Sequence, residues 1–484
     1  MAGQPSNGGA KAGAVKTTTD DAQNGNGSQV GGNGNAWSPS SWQSKPMKQS
    51  VSYDDEKAVE KALKKLESLP PLVTAAEVSK LRANLEEVAL GKAFLLQGGD
   101  CAELFDYCTE EKISAKVKLL LQMSMVLIWG GNIPVVRIGR MAGQYAKPRS
   151  SMTEIVDGKE VPSFRGDIIN GFDLSERTPD PARLVSAYYH SATTLNFLRG
   201  QLSSGFADLH HPFEWTLSHV QSSETKEKYQ AIVNSITDTI RFMHTIGADT
   251  SSSLGTVDLY TSHEGLLLEY EQGLTRLLRD PTDGNKSKWY ATSAHFIWIG
   301  DRTRQLDCAH VEFFRGIENP IGIKVGPTMR GEELAKLLDI VNPNKEIGKV
   351  TLITRYGADK VNELLPGHIE AVVQAGHTVD YKLTIQCSYR NTRSAPTGVK
   401  TRQFDNIMIE LSNAHNIHQK CGTHLGGVHL ELTADAVTEC VGGSENLTDD
   451  DLSLNYTTYC DPRLNNKQAL EAAFMIAAWY REKA

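Results

Sequence analysis

What most constrains this chain is a pattern that repeats along it. A short apolar run ends on glycine or a polar cluster, a helix-like segment follows, and another apolar run begins. The runs are AFLLQ (93–97), IPVVRIG (133–139), DLYTSH (258–263), HFIWIG (295–300), GIKVG (322–326), VTLITR (350–355), TVDYKLTIQ (378–386) and VHLELT (428–433). Segments such as EELAKLLDIVN and VNELLPGHIEAVVQAG lie between them with helical apolar spacing. Short strands buried on both faces and alternating with helices build a parallel sheet. Eight of them predict an α/β fold, a (β/α)8 TIM barrel. FADL (206–209) is a weak ninth candidate. The rival is an open doubly wound sheet, but no Gly-x-Gly-x-x-Gly fingerprint follows the first run. About 118 residues separate the second run from the third, too many for one crossover. Inserted helices are therefore expected between strands 2 and 3, around 150–255, one of them in PARLVSAYYHSATTLNFLRGQL.

Residues 1–45 are of another kind, rich in Gly, Asn, Ser and Thr with almost nothing to bury, and read as a disordered low-complexity tail. The tail lacks arginine and carries an Asp pair, which does not suit a transit peptide. Residues 46–484 read as a single catalytic domain with an N-terminal helical extension that includes DDEKAVEKALKKLESLP. A net charge of −8 argues against nucleic acid as a partner. No apolar run reaches the roughly 18 residues that would suggest a membrane span. Seven scattered cysteines without a secreted-domain spacing point to a reducing, cytoplasmic setting.

Against that acidic balance, RIGRMAGQYAKPRS (137–150) gathers Arg137, Arg140, Lys147 and Arg149 at the exit of a buried strand. Charge runs are usually solvated faces, but in a barrel the C-terminal strand ends are where active sites assemble. Other exits add Arg302 and Arg304 after Asp301, Lys324 within GIKVGP, and Arg355. Pointed at one mouth, Arg140, Lys147, Arg302, Lys324 and Arg355 make a cavity for more than one phosphate or carboxylate. Cys101, Glu431 and Asp461 form a candidate metal set, whose thiolate and carboxylates suit Mn, Fe, Co or Zn better than Mg. The plain alternative for Cys101 is a buried thiol.

The stretches QGGDCAELF, RMAGQYAKPRS, SFRGDIINGF, YTSHEGLLLEYE, WIGDRTRQLDCAHVEFFRGIENPIGIKVGPTM, LITRYGADKV, GVHLELTADAVTECVGG and YCDPRLN closely resemble class II 3-deoxy-D-arabino-heptulosonate 7-phosphate (DAHP) synthases, from about Trp37 to the C-terminus. The resemblance implies a metal-dependent transferase that opens the shikimate pathway, condensing phosphoenolpyruvate with erythrose 4-phosphate and water to give DAHP and phosphate. It implies that Arg140, Lys147, Arg302, Lys324 and Arg355 hold phosphoenolpyruvate, and that Arg149 and Ser150 receive erythrose 4-phosphate. Lys324, Arg302 and Asp301 fall in the catalytic set, with Asp301 standing where Glu is usual. It further implies a divalent cofactor, Mn first and Co or Zn next, a homo-oligomer (dimer or tetramer), and feedback inhibition by aromatic amino acids through the inserted helices.

The family's metal set is Cys, His, Glu and Asp, and Cys101, Glu431 and Asp461 match three of these. At the seventh strand, where the family reads C-D-P-M-H-G-N-T, this chain reads VDYKLTIQCSYRNTRSAPTGVKTR, with no His. Alignment from either flank puts Cys387 or Tyr389 at the ligand position. Three readings stay open there: a replacement ligand, a locally faulty sequence, or a catalytically impaired paralogue acting as a regulatory or binding subunit. Cys460, beside Asp461, is either an inert thiol or a disulfide partner for Cys101.

Overall fold

A computed structural model describes residues 36–156, 158–203, 258–377, 393–396 and 398–481, the backbone of 384–387, and residues 227, 230, 231, 234 and 238. Ser38–Ala484 forms one compact unit. Most of the low-complexity tail, FADL, and much of the second half of the insertion expected around 150–255 lie outside the described residues, as does the first part of TVDYKLTIQ, while the helix expected in PARLVSAYYHSATTLNFLRGQL is present as Ala182–Ser203.

Eight parallel strands close on themselves. In chain order they are β1 (Phe94–Gly99), β2 (Val135–Arg140), β3 (Tyr260–Glu264), β4 (Phe296–Ile299), β5 (Ile321–Val325), β6 (Val350–Thr354), β7 (Thr384–Cys387) and β8 (Gly427–Glu431). Each pairs with its sequence neighbours, and β1 completes the ring by pairing β2 on one side and β8 on the other. The (β/α)8 expectation is met. β1, β3, β4, β6 and β8 are buried at every position, so β4 and β6 read as largely apolar runs rather than alternating ones, whereas β3 and β8 bury polar side chains as well. Gly99 at the end of β1 has φ +145°, and a Cβ there would lie 2.6 Å from the Arg140 carbonyl oxygen. Any side chain would therefore push β1 and β2 apart just where the basic stretch begins.

The N-terminal extension explains why chemistry is confined to one mouth. Its helices are α1 (Glu56–Ser68) and α2 (Ala75–Ala89), the latter opened by a reciprocal Thr74–Glu77 capping box. Leu81, Leu85 and Val88 of α2 share one apolar cluster with Leu95, Val136, Ile138, Phe296, Trp298 and Ile353 from the barrel strands. Helix α2 thus seals the end of the barrel opposite the strand exits, and the C-terminal ends are left to form a site. Helix α3 (Glu110–Gly131) is long and apolar enough by composition to cross a membrane, contrary to the expectation from sequence. Two-thirds of its apolar window is buried, and Gly130 permits close approach to Ala477 of the C-terminal helix Asn466–Arg481. Packing inside the protein accounts for its apolar character.

Candidate active site

The β2 exit is shaped by one carboxylate. Glu103 accepts backbone N–H bonds from Ala142, Gly143 and Gln144 at 3.1, 3.0 and 2.9 Å, folding MAGQ into a tight turn. Gly143 is required there, because a Cβ would meet the His263 ring at 2.5 Å. Gln144 ties the turn to β3 by accepting from the Glu264 amide at 2.9 Å. The chain then carries Lys147, Arg149 and Ser150 along the wall of a cavity of about 540 Å³ at the barrel mouth.

Asp301, Arg302, Lys324, Arg355, Glu431 and Asp461 line the same cavity, so most of the residues expected from sequence do converge. Asp301 organises two of the cations, accepting from Arg304 at 3.0 Å and lying 3.5 Å from Arg355. Arg302 donates to Ser150 Oγ at 2.9 Å. Arg149 donates to Glu154 at 2.7 Å, on the hairpin formed by Thr153–Val156 and Lys159–Pro162. Arg140 is the exception among the cations. It is 1 % exposed and lies beneath the cavity wall, donating to the carbonyls of Asp100 and Cys101 at 2.9 and 3.1 Å.

Cys101, Glu431 and Asp461 present one ligand atom each, all within 4.8 Å of one another. Cys101 follows β1 by two residues and Glu431 ends β8, the strand paired with β1. Asp461 comes from a loop that the Leu464 amide fastens to the Glu431 carbonyl at 3.0 Å. That loop is held from beneath by Arg463, whose guanidinium pairs with Asp100 and with Glu439, each at 2.7 Å and all almost fully buried. The Lys147 ammonium lies 2.7 Å from Cys101 Sγ and 2.6 Å from Asp461. One thiol and two carboxylates converging in a buried, cation-compensated pocket are a donor set that fits a borderline divalent ion. The side chain of Cys387, and all of Tyr389, lie outside the described residues.

Electrostatics follow from this crowding. Burial disfavours the thiolate of Cys101, but a hydrogen bond from Cys460 and the Lys147 charge bring its pKa below the usual value. Burial likewise opposes ionisation of Glu431, and Arg402, Lys147 and Arg140 outweigh it, holding the carboxyl far below its normal range. Lys147 keeps its proton well above the ordinary lysine pKa, because Asp461 and Cys101 overcome its burial. Lys324 moves the other way. Burial and the nearby Arg140 charge bring it down to about 8.

Sequence reasoning missed two cations of this cavity. Lys400 lies 3.3 Å from Asp461, and Arg402 pairs with Glu431 at 2.8 Å. Both sit on the strand Lys400–Gln403, and the two-residue spacing in VKTR, which puts both on one face, was the available signal. Glu264, the last residue of β3, lines the cavity with a buried Oε1 that has no hydrogen-bond partner among the described residues.

Residues 37–477 match the class-II DAHP synthetase family. The chain belongs to it. Family members with similar sequences include the phospho-2-dehydro-3-deoxyheptonate aldolase of Neurospora crassa, 58% identical over 93% of this chain and 96% of that one. The enzyme of the same name from Streptomyces coelicolor is 45% identical over 91% and 97%. Phospho-2-dehydro-3-deoxyheptonate aldolase AroG of Mycolicibacterium smegmatis is 45% identical over 90% and 93%. A solved phospho-2-dehydro-3-deoxyheptonate aldolase from Francisella tularensis aligns with 14% identity and a TM-score of 0.41 over 90% of this chain and 99% of that one, too slight a likeness to bear on the site.

Proposed function

We propose that this chain condenses phosphoenolpyruvate with erythrose 4-phosphate and water, giving DAHP and inorganic phosphate, the entry step of the shikimate pathway to aromatic amino acids. The observation that carries this reading is the joining of two chemistries at one mouth. Cys101, Glu431 and Asp461 converge within 4.8 Å on the edge of a cavity that Lys147, Arg149, Arg302, Lys324 and Arg355 also line. Such a cavity accepts two phosphates and a carboxylate.

Cys101, Glu431 and Asp461 would hold a divalent ion, which would supply Lewis-acid polarisation of the aldehyde carbonyl. The protein's own groups do the rest. Lys324, Arg355, Arg302 and Lys147, with Arg140 beneath them, hold phosphoenolpyruvate and orient its carbon 3 toward the aldehyde. Arg149 and Ser150 receive the phosphate of erythrose 4-phosphate, with Arg302 donating to Ser150 Oγ. As the new carbon–carbon bond forms, the charged Lys147 stands beside the trio and can protonate the developing alkoxide. Water adds at carbon 2, and the phosphate leaves against the Lys324 and Arg355 charges.

Manganese is the expected ion, with cobalt or zinc as substitutes, and the fourth ligand is assigned to the β7 exit, Cys387 or Tyr389. The converged trio weighs against the reading of an impaired paralogue. A cytoplasmic homo-oligomer inhibited by aromatic amino acids is the accompanying expectation from the family. The test is to incubate the full chain with both substrates and manganese, following phosphate release and the seven-carbon product by mass spectrometry. One phosphate per product supports the reading; phosphate without that product removes it.

A further inference from the structure

His429, on β8 two residues before Glu431, is fully buried inside the barrel, and the chemistry above leaves it without a task. Its surroundings fix its state. Ser262 Oγ donates to the Gly139 carbonyl at 3.0 Å, so it accepts from Gln97 Nε2 at 2.9 Å. The other end of the Gln97 amide, Oε1, lies 2.8 Å from His429 Nδ1, which must therefore carry the proton. His429 Nε2 is left with a lone pair, and the group facing it is Arg140 Nη1, which can only donate. The hydrogen bonds run one way throughout, from Arg140 to His429 to Gln97 to Ser262 to the carbonyl of Gly139, the residue before Arg140. The loop crosses β2, β8, β1 and β3 and returns to β2. Among its four side chains, the largest exposure is the 1 % of Arg140.

The guanidinium is also held on its other edge. Nε bonds to the Asp100 carbonyl, and Nη2 bonds to the Cys101 carbonyl and lies 3.4 Å from Glu431. The ring of Trp298 lies 5.1 Å from its carbon. One Nη1 hydrogen is left without a partner among the described residues. We infer that His429, locked as a neutral acceptor by Gln97 and Ser262, is a positioning residue that aims this remaining N–H of Arg140 at the anion of phosphoenolpyruvate. The inference rests on the proposed phosphoenolpyruvate site. An arginine held by fixed acceptors on three sides pays little reorganisation when the anion arrives.

The test compares His429→Leu, which removes the acceptor, with His429→Gln, which keeps a carbonyl able to accept from Arg140. Gln97→Leu serves as a second disruption that spares His429. Each is measured in the manganese-loaded full chain for bound metal, for KM of both substrates, and for phosphoenolpyruvate titration by tryptophan fluorescence. His429→Leu should weaken phosphoenolpyruvate about tenfold or more, the scale of one hydrogen bond to a charged group. KM for erythrose 4-phosphate and metal content should stay as in the wild type. His429→Gln should recover most of the loss, and Gln97→Leu should show part of it. Unchanged phosphoenolpyruvate affinity in both disrupting variants, while Lys324→Met and Arg355→Met weaken it, overturns the role of His429 alone. Unchanged affinity in all four removes the phosphoenolpyruvate site itself and the inference with it. Loss of metal alongside phosphoenolpyruvate in His429→Leu also overturns it, since that marks a general structural role.

Discussion

Replacing Arg463 with Met is the most telling perturbation of the scaffold beneath the trio. Arg463 is 2 % exposed and pairs with Asp100, also 2 % exposed, and with fully buried Glu439, in each case at 2.7 Å. Its Nε and amide add bonds to the same Glu439 at 3.0 and 2.8 Å. Removing one partner of a buried ion pair costs about 3–5 kcal/mol, because the other charge stays buried. Asp100 keeps Lys116 at 2.5 Å, and Glu439 keeps the Thr458 amide at 2.9 Å, so the two losses should not simply add. Unfolding entropy of roughly 2.1 cal/mol/K per residue over a compact unit of some 450 residues is about 0.9 kcal/mol/K. The expected fall in Tm is therefore about 3–5 °C, read by differential scanning calorimetry. Glu439→Gln combined with Arg463→Met should lose less than Arg463→Met alone, because the neutral amide removes the unpaired buried charge at Glu439 while Asp100 keeps Lys116. A fall below about 1 °C in the single variant would refute the reasoning. Because Asp461 lies two residues away on the same loop, metal affinity should fall as well.

Four further outcomes are expected. Lys324 in the free protein has a pKa lowered to about 8 by burial and by Arg140, and a bound anion must raise it. KM for phosphoenolpyruvate should thus be flat below pH 8 and climb up to about tenfold per unit above it; a flat profile to pH 9.5 contradicts this. Lys349 is buried, donating to the carbonyls of Ile317 and Asn319, and burial lowers it from 10.5 to about 7. Between those values the unfolded chain holds a proton that the folded one lacks, so stability should rise with pH across that window, and Lys349→Met should flatten the rise in urea titrations. At the β7 exit, either Cys387→Ala or Tyr389→Phe should weaken manganese binding at least about tenfold, and no effect from either removes both as ligands. Oxidant should inactivate the protein through Cys460 and Cys101, with dithiothreitol restoring it and Cys460→Ser abolishing the sensitivity.

The barrel was legible because most of its parallel strands, covered on both faces, are apolar at most positions. Runs such as HFIWIG and VTLITR could hardly be anything else. Cys101, Glu431, Lys324 and Arg355 were legible for a related reason, since strand exits in a barrel share one mouth. Lys400 and Arg402 escaped because their strand lies outside the barrel and is brought over the mouth by pairing with Cys440–Val441, a contact with no local signature. The depth of Arg140 escaped as well. It ends β2 as expected, but bonds to the Asp100 and Cys101 carbonyls draw it beneath the cavity, and only three-dimensional partners reveal that. The sealing of the far end by α2 was hidden for the same reason: helical spacing shows that a face is apolar, not which face it meets.

The central claim is that Cys101, Glu431 and Asp461 hold a divalent ion required for condensation. Protein stripped with chelator should be titrated with manganese while bound metal and phosphate release from the two substrates are measured on the same samples. Stripped protein should release none, release should rise in step with bound metal to one ion per chain, and both should be lost in Cys101→Ala and Glu431→Gln. Full turnover in stripped protein, or one bound ion retained in both variants, would contradict it.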